Sequence, residues 1–162
     1  MQRLEVSSTV GATPDDVWAV ITTPDGINDE LRPLLRMTTP ASMRDRTIGD
    51  VEAGRHLGRS WLLLFGVLPF EYDDITIVEL EEGRRFLEHS LMLSLRWWQH
   101  ERTLGRSGDA CSVRDLVSFE LRRPLAWLPG LERLLRAGLR RLFRHRHARL
   151  ARRFGSVSGG RS

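Results

Sequence analysis

Residues 131–154 read LERLLRAGLRRLFRHRHARLARRF, and the placement of their apolar side chains decides the fold. Leu131, Leu134, Leu135, Gly138, Leu139, Leu142, Phe143, Leu150 and Phe154 recur at the three-and-four spacing of one helical face, while the other face is almost entirely Arg. Pro129-Gly130 punctuate the chain just before this stretch. A helix with one long apolar stripe needs an equally long surface to bury it against, and the preceding residues supply one.

From about Asp50 to Arg122 the chain consists of short segments rich in Leu, Ile, Val, Phe and Trp. They are separated by turn signals at 66–69, 82–83 and 105–109, which predicts a meander of antiparallel hairpins. Farther upstream, Leu4, Val6 and Ser8 alternate with Glu5, Ser7 and Thr9, the pattern of a half-buried strand. Thr13-Pro14-Asp15-Asp16 and Thr23-Pro24-Asp25 each place an N-cap, a proline at the first helical position and acids in the first turn, so two short helices are expected, the second ending near Arg32 before Pro33. Strand, two helices, meander and long helix predict an α+β chain in which a curved antiparallel sheet of six to seven strands wraps the C-terminal helix. A sheet seldom closes completely on one helix, and the gap between them is a natural pocket for an apolar molecule.

With 162 residues, one domain over 1–155 is expected, followed by a disordered tail over 156–162 that has nothing to bury. No apolar run approaches the roughly 18 residues that a membrane-spanning helix needs, and charges interrupt the N-terminus where a signal peptide would be apolar, so a cytoplasmic protein is expected. The single cysteine, Cys111, can form neither an internal disulfide nor a zinc-type cluster, and the His residues lack metal-ligand spacing. No metal and no cofactor are expected. All 25 basic residues are Arg; residues 1–121 carry a net −7 and residues 122–162 a net +11. The acidic part would repel nucleic acid, so internal charge complementarity is the expected use of the basic helix, and no nucleic-acid partner is expected. Peripheral contact with an anionic membrane through the Arg face of 133–153 is a further reading.

The hairpin of residues 96–122, RWWQHERTLGRSGDACSVRDLVSFELR, carries the chemistry. With its turn at 105–110, Trp98 is expected opposite Val117, His100 opposite Asp115 and Arg102 opposite Val113. One face then carries Trp98, His100, Arg102, Leu104, Cys111, Val113, Asp115, Val117, Phe119 and Leu121. Three ionisable groups thus share an apolar face. Such a cluster is either mutually satisfied, as a structural cross-strand pair, or placed to meet a polar group of a ligand. In the second case His100 oriented by Asp115 would be an anchor or general acid/base, and Arg102 would polarise a ligand carbonyl or carboxylate. Glu88 and Ser90 share the parity of Phe86 and Met92 and are expected to point inward. Gly138, the one small residue on the helical stripe, is expected either to widen the cavity beneath it or only to allow close helix packing, whereas His145 and His147 read as a solvated helix face.

Several of these residues resemble a known family. The stretch 10–40, with Thr13-Pro14, Val17-Trp18, Ile27, Leu31, Pro33 and Met37-Thr38, resembles the opening of START-like proteins of the SRPBCC superfamily. Trp98-x-His100 followed by Asp115-x-Val117 is similar to the paired-strand motif of the polyketide cyclase/dehydrase and lipid-transport branch, and residues 144–146 with 152–154 look like its final helix. The resemblance spans about residues 3–155. It implies the birch-pollen-allergen-like helix-grip fold with a hydrophobic cavity, and a membership of lipid and sterol carriers, hormone-binding proteins, aromatase/cyclases and uncharacterised bacterial proteins. It supplies no universal catalytic set. The leading expectation is therefore binding or carriage of a small hydrophobic molecule, a lipid, polyketide or aromatic metabolite. Trp98, His100, Arg102, Asp115, Val117, Phe119, Phe86, Glu88, Gly138 and Leu142 are the expected ligand-facing residues. The alternative is a cyclase or dehydratase with His100 and Asp115 moving protons and Arg102 stabilising an oxyanion.

Overall fold

Thr13 and Thr23 do as their positions predict: each hydroxyl accepts the backbone N–H three residues on, starting helices α1 (Pro14–Ile21) and α2 (Pro24–Leu31). The computed structural model describes residues 1–157. Strand β1 (Gln2–Val10) precedes these helices, and β2 (Leu35–Met37), β3 (Arg55–Leu64), β4 (Leu68–Glu81), β5 (Arg85–Met92), β6 (Leu95–Ser107) and β7 (Ala110–Leu121) follow them. A short helix α3 (Arg123–Ala126) then leads into α4 (Leu131–Phe154). All seven strands form one antiparallel sheet in the order β1-β7-β6-β5-β4-β3-β2. Register shifts between His56 and Gly58, Ile77 and Glu79, and Leu95 and Trp97 add the local bends that curl it around α4. Of the tail expected at 156–162, Ser156 bridges Val10, and Gly11 N–H donates to the Gly155 carbonyl; residues 158–162 lie outside the described residues.

The β6–β7 register differs from the expected one by two residues. Trp98 pairs with Phe119, His100 with Val117, and Arg102 with Asp115. The turn is tight, closing between Ser107 and Ala110 with Gly108 at φ 62°, so Gly105 belongs to the strand rather than to the turn. Gly105 is required there by close approach: a Cβ would lie 2.6 Å from Ser112 Oγ, which donates to the Gly105 carbonyl. A shift of two preserves side-chain parity, so the expected inward face is the observed one.

Two apolar clusters fill the interior. Trp18, Ile21, Phe86, Leu104, Val113 and Leu150 belong to one, and Leu4, Trp98, Val117, Phe119 and Phe143 to the other. Along β6 and β7, His100, Arg102 and Asp115 lie between the residues of the two clusters, forming a polar belt through the core.

Candidate functional site

Asp115 sits at the centre of the belt and is fully buried. Its Oδ1 accepts from Arg102 Nε and His100 Nε2, both at 2.7 Å, and its Oδ2 from Arg102 Nη2 at 2.7 Å and His147 Nε2 at 2.8 Å. Burial opposes its charge, but the adjacent Arg102 guanidinium and these hydrogen bonds hold the carboxyl well below the ordinary range. Arg102 is also fully buried, and its third nitrogen, Nη1, donates to Glu30 Oε1 of α2 at 2.8 Å. Glu30 Oε2 accepts from Arg146 Nε of α4 at 3.0 Å. His100 Nδ1 lies 3.1 Å from Glu88 Oε1. Burial disfavours the imidazolium, yet Asp115 and Glu88 on its two nitrogens outweigh that and raise its pKa. Glu88 is lowered in turn: burial raises it, and the hydrogen bond from His100 and the charges of His100 and Arg146 more than offset this. Arg102, Arg146 and protonated His100 thus balance Asp115, Glu30 and Glu88, which is the condition for burying so many charges.

The expectation of a solvated face at His145 and His147 is corrected. His147 is buried, bridging Asp115 and the Ser8 hydroxyl, while His145 Nε2 meets the Arg32 carbonyl at 2.6 Å. Glu30, Arg146 and His147 were missed as members of the belt. They had a signal: Glu30 continues the apolar spacing of Ile27 and Leu31, and Arg146 and His147 fill the gap between Phe143 and Leu150 in the stripe of α4.

Above the belt, between sheet and α4, lies a predominantly apolar cavity of about 220 Å³. Ile75, Phe86, Met92, Trp98, Leu139 and Phe143 contribute to its wall, and α2, β2 and the segment after β2 close one side with Ile27, Met37 and Met43. Of the residues expected to face a ligand, Phe86, Glu88, Trp98, His100 and Leu142 line this cavity. Arg102, Asp115, Val117 and Phe119 are buried and do not contribute to its wall. Gly138 lies on the exposed side of α4, with open space where a Cβ would stand. Glu71 also reaches the wall, but its carboxylate is held by the β5–β6 turn, accepting from the Leu93 and Ser94 N–H groups and the Ser94 hydroxyl. Among the described residues no cluster of three His, Cys, Asp or Glu side chains could hold a metal ion, and no helix is long and apolar enough to cross a membrane.

A model of a domain of unknown function, DUF8410, matches residues 8–154. A search of curated proteins finds no match. Among solved structures, a START superfamily protein from Mycobacterium smegmatis aligns over 94% of this chain and 96% of its own, with a TM-score of 0.66 at 10% identity. A protein from Chromobacterium violaceum aligns over 96% and 98%, with a TM-score of 0.69 at 13% identity. DynU16, from the dynemicin biosynthetic locus, aligns over 94% of this chain and 46% of its own, with a TM-score of 0.59 at 18% identity. These likenesses establish a START-like helix-grip fold, as the resemblance of the sequence implied.

Proposed function

This chain belongs to the DUF8410 family, and we propose that it binds and carries a small apolar molecule in the cavity between the sheet and α4. The single observation behind this reading is the cavity itself, an apolar hollow of about 220 Å³ in a chain otherwise packed into two dense clusters. The two fully buried charges at the centre of the belt, Arg102 and Asp115, are saturated. Arg102 and Asp115 direct every charged atom at each other or at Glu30, His100 and His147, which favours a carrier over a cyclase that needs them free. Native mass spectrometry of protein purified from its own host tests the reading. A bound species of a few hundred daltons, released on denaturation, is expected; protein of identical mass under gentle and denaturing conditions that also takes up no apolar probe contradicts it.

A second reading concerns loading. The β3–β4 turn, the β5–β6 turn and the α3–α4 connection all lie at one end of the antiparallel sheet, where Phe65, Val67, Leu93, Trp127, Leu128 and Leu134 are exposed. Arg133 and Arg136 are exposed on α4 beside this end, and Arg141 and Arg144 farther along it. An apolar rim next to a basic face suits peripheral contact with an anionic membrane. Co-sedimentation with vesicles containing phosphatidylserine, reduced by salt and by Trp127→Ala, is expected; no binding at low salt contradicts it.

A further inference from the structure

Four buried polar atoms make no hydrogen bond of good geometry among the described residues: Ser60 Oγ, Asp73 Oδ1, Ser90 Oγ and Trp98 Nε1, with Ser90 lying near the Asp73 carboxyl and Trp98 near that of Glu88. They are not scattered. Ser60 on β3 is the direct cross-strand partner of Asp73 on β4, and Ser90 on β5 is the partner of Trp98 on β6. Ser60, Asp73 and Trp98 line the cavity, and each of the four side chains belongs to a residue less than one-tenth exposed. The neighbouring polar groups are already occupied, Glu71 by the β5–β6 turn and His100 by Asp115 and Glu88. Unmet polar atoms are unfavourable in a core, and three on the wall of one cavity, with a fourth on Ser90 across from Trp98, point to something that meets them.

Resting on the reading of the cavity as a ligand site, we propose that Ser60, Asp73 and Trp98, with Ser90 across from Trp98, form an anchor for the hydroxyl of an uncharged, otherwise apolar ligand. The donor and acceptor inventory selects this class. Trp98 Nε1 only donates, the two serine hydroxyls do either, and a carboxyl accepts when ionised and donates when protonated. A hydroxyl both donates and accepts, so it suits Trp98 and either form of Asp73. An ammonium has nothing to accept the Trp98 proton. At the anchor a carboxylate or phosphate would stand against Asp73 and Glu88, while Arg146, which also reaches the cavity, is held by Glu30 through its Nε. Burial, reinforced by the charge of Glu88, pushes Asp73 up to about 7, so near neutral pH its carboxyl takes either hydrogen-bonding role readily.

The test is calorimetric titration of the full chain with four probes sharing one ring system: naphthalene, 2-methoxynaphthalene, 2-naphthol and 2-naphthoate. The anchor predicts that 2-naphthol binds about tenfold tighter than its methyl ether and that the carboxylate is weakest. Ser60→Ala, which removes only the hydroxyl oxygen, is expected to weaken 2-naphthol by about five- to tenfold while leaving 2-methoxynaphthalene nearly unchanged, and Trp98→Phe, which removes the indole N–H together with part of the ring, is expected to weaken 2-naphthol more than its ether. Equal affinity for naphthol and ether in the wild type, or tightest binding of naphthoate, overturns the anchor while leaving the cavity reading standing. Absence of binding by all four probes removes both.

Discussion

Arg102 is an unusual residue to find at the centre of a core, and its surroundings show what keeps it there. Five nitrogen-to-oxygen contacts join Arg102, His100 and His147 to Asp115 and Glu30, so removing one partner strands another inside protein. Arg102→Met is expected to lower unfolding stability by roughly 3–5 kcal/mol, read by urea denaturation, because Asp115 and Glu30 lose their counter-charge; a loss near zero would mean that the belt is not maintained in solution. The titrating groups also set a pH dependence. Asp115 and Glu88, depressed in the folded state, contribute stability that is present above the ordinary values of 3.8 and 4.5 and lost as pH falls through their lower folded values. His100, raised, contributes fully below 6.5 and loses that contribution as pH rises through its folded value. Asp73 holds a proton that the unfolded chain has released between 3.8 and about 7, so its burial costs progressively more stability across that interval. The melting temperature is therefore expected to peak near pH 4.5, where Glu88 and Asp115 contribute fully and the Asp73 cost is still small, and to decline through neutral toward alkaline pH, as read by calorimetry from acid to alkaline conditions. Asp73→Asn should lessen the decline and stabilise the protein at pH 8 by roughly 1–3 kcal/mol; an unchanged profile would contradict the burial of an ionisable Asp73.

At the scale of elements, the sequence made the order and type of the main pieces legible because their signals are local. Thr-Pro-Asp starts a helix by its own chemistry, and the stripe of residues 131–154 identifies α4 without reference to the rest of the chain. What a local signal does not carry is contact between distant elements. Gly105 carries the residue type of a turn but serves an approach to Ser112 across the hairpin, which shifted the expected register by two. Arg146 and His147 look like surface residues beside so many Arg, and only their partners Glu30 and Asp115, far away in sequence, make them interior. Gly26 is a similar case at the α1–α2 corner, where a Cβ would stand 1.9 Å from the Val20 carbonyl oxygen. Because the obstacle is backbone, Gly26→Ala is expected to cost more than about 2 kcal/mol and to displace α2, and with it Glu30, from the belt. Wild-type stability for this variant would contradict the packing of that corner.

Across the whole molecule, the charge asymmetry of the sequence resolves into two uses. Arg146, Arg149 and Arg153 near the end of α4 pair with Glu30 and Asp29 of α2, which is the internal complementarity expected of a basic helix on an acidic body. Arg133 and Arg136 near its start and Arg141 and Arg144 at its middle remain exposed. The molecule is thus firmly tied at the end where α2, α4 and the belt meet. The cavity lies between the sheet and α4, its wall including Leu62 and Phe70 beside the β3–β4 turn and Leu135 and Leu139 in the first half of α4. Fold and cavity were legible in the order of elements. The polar stripe was not, because Ser60, Asp73 and Ser90 come together only through the register of three strands. The most direct test of the account is a methyl-resolved NMR titration of the isotope-labelled protein with 2-naphthol. Saturable shifts concentrated at Ile75, Met92 and Leu139 on the cavity wall are the predicted result, with Leu128 and Leu134 on the exterior unmoved. Shifts confined to the exterior residues, or none at concentrations that saturate calorimetric binding, would contradict a ligand held between the sheet and α4.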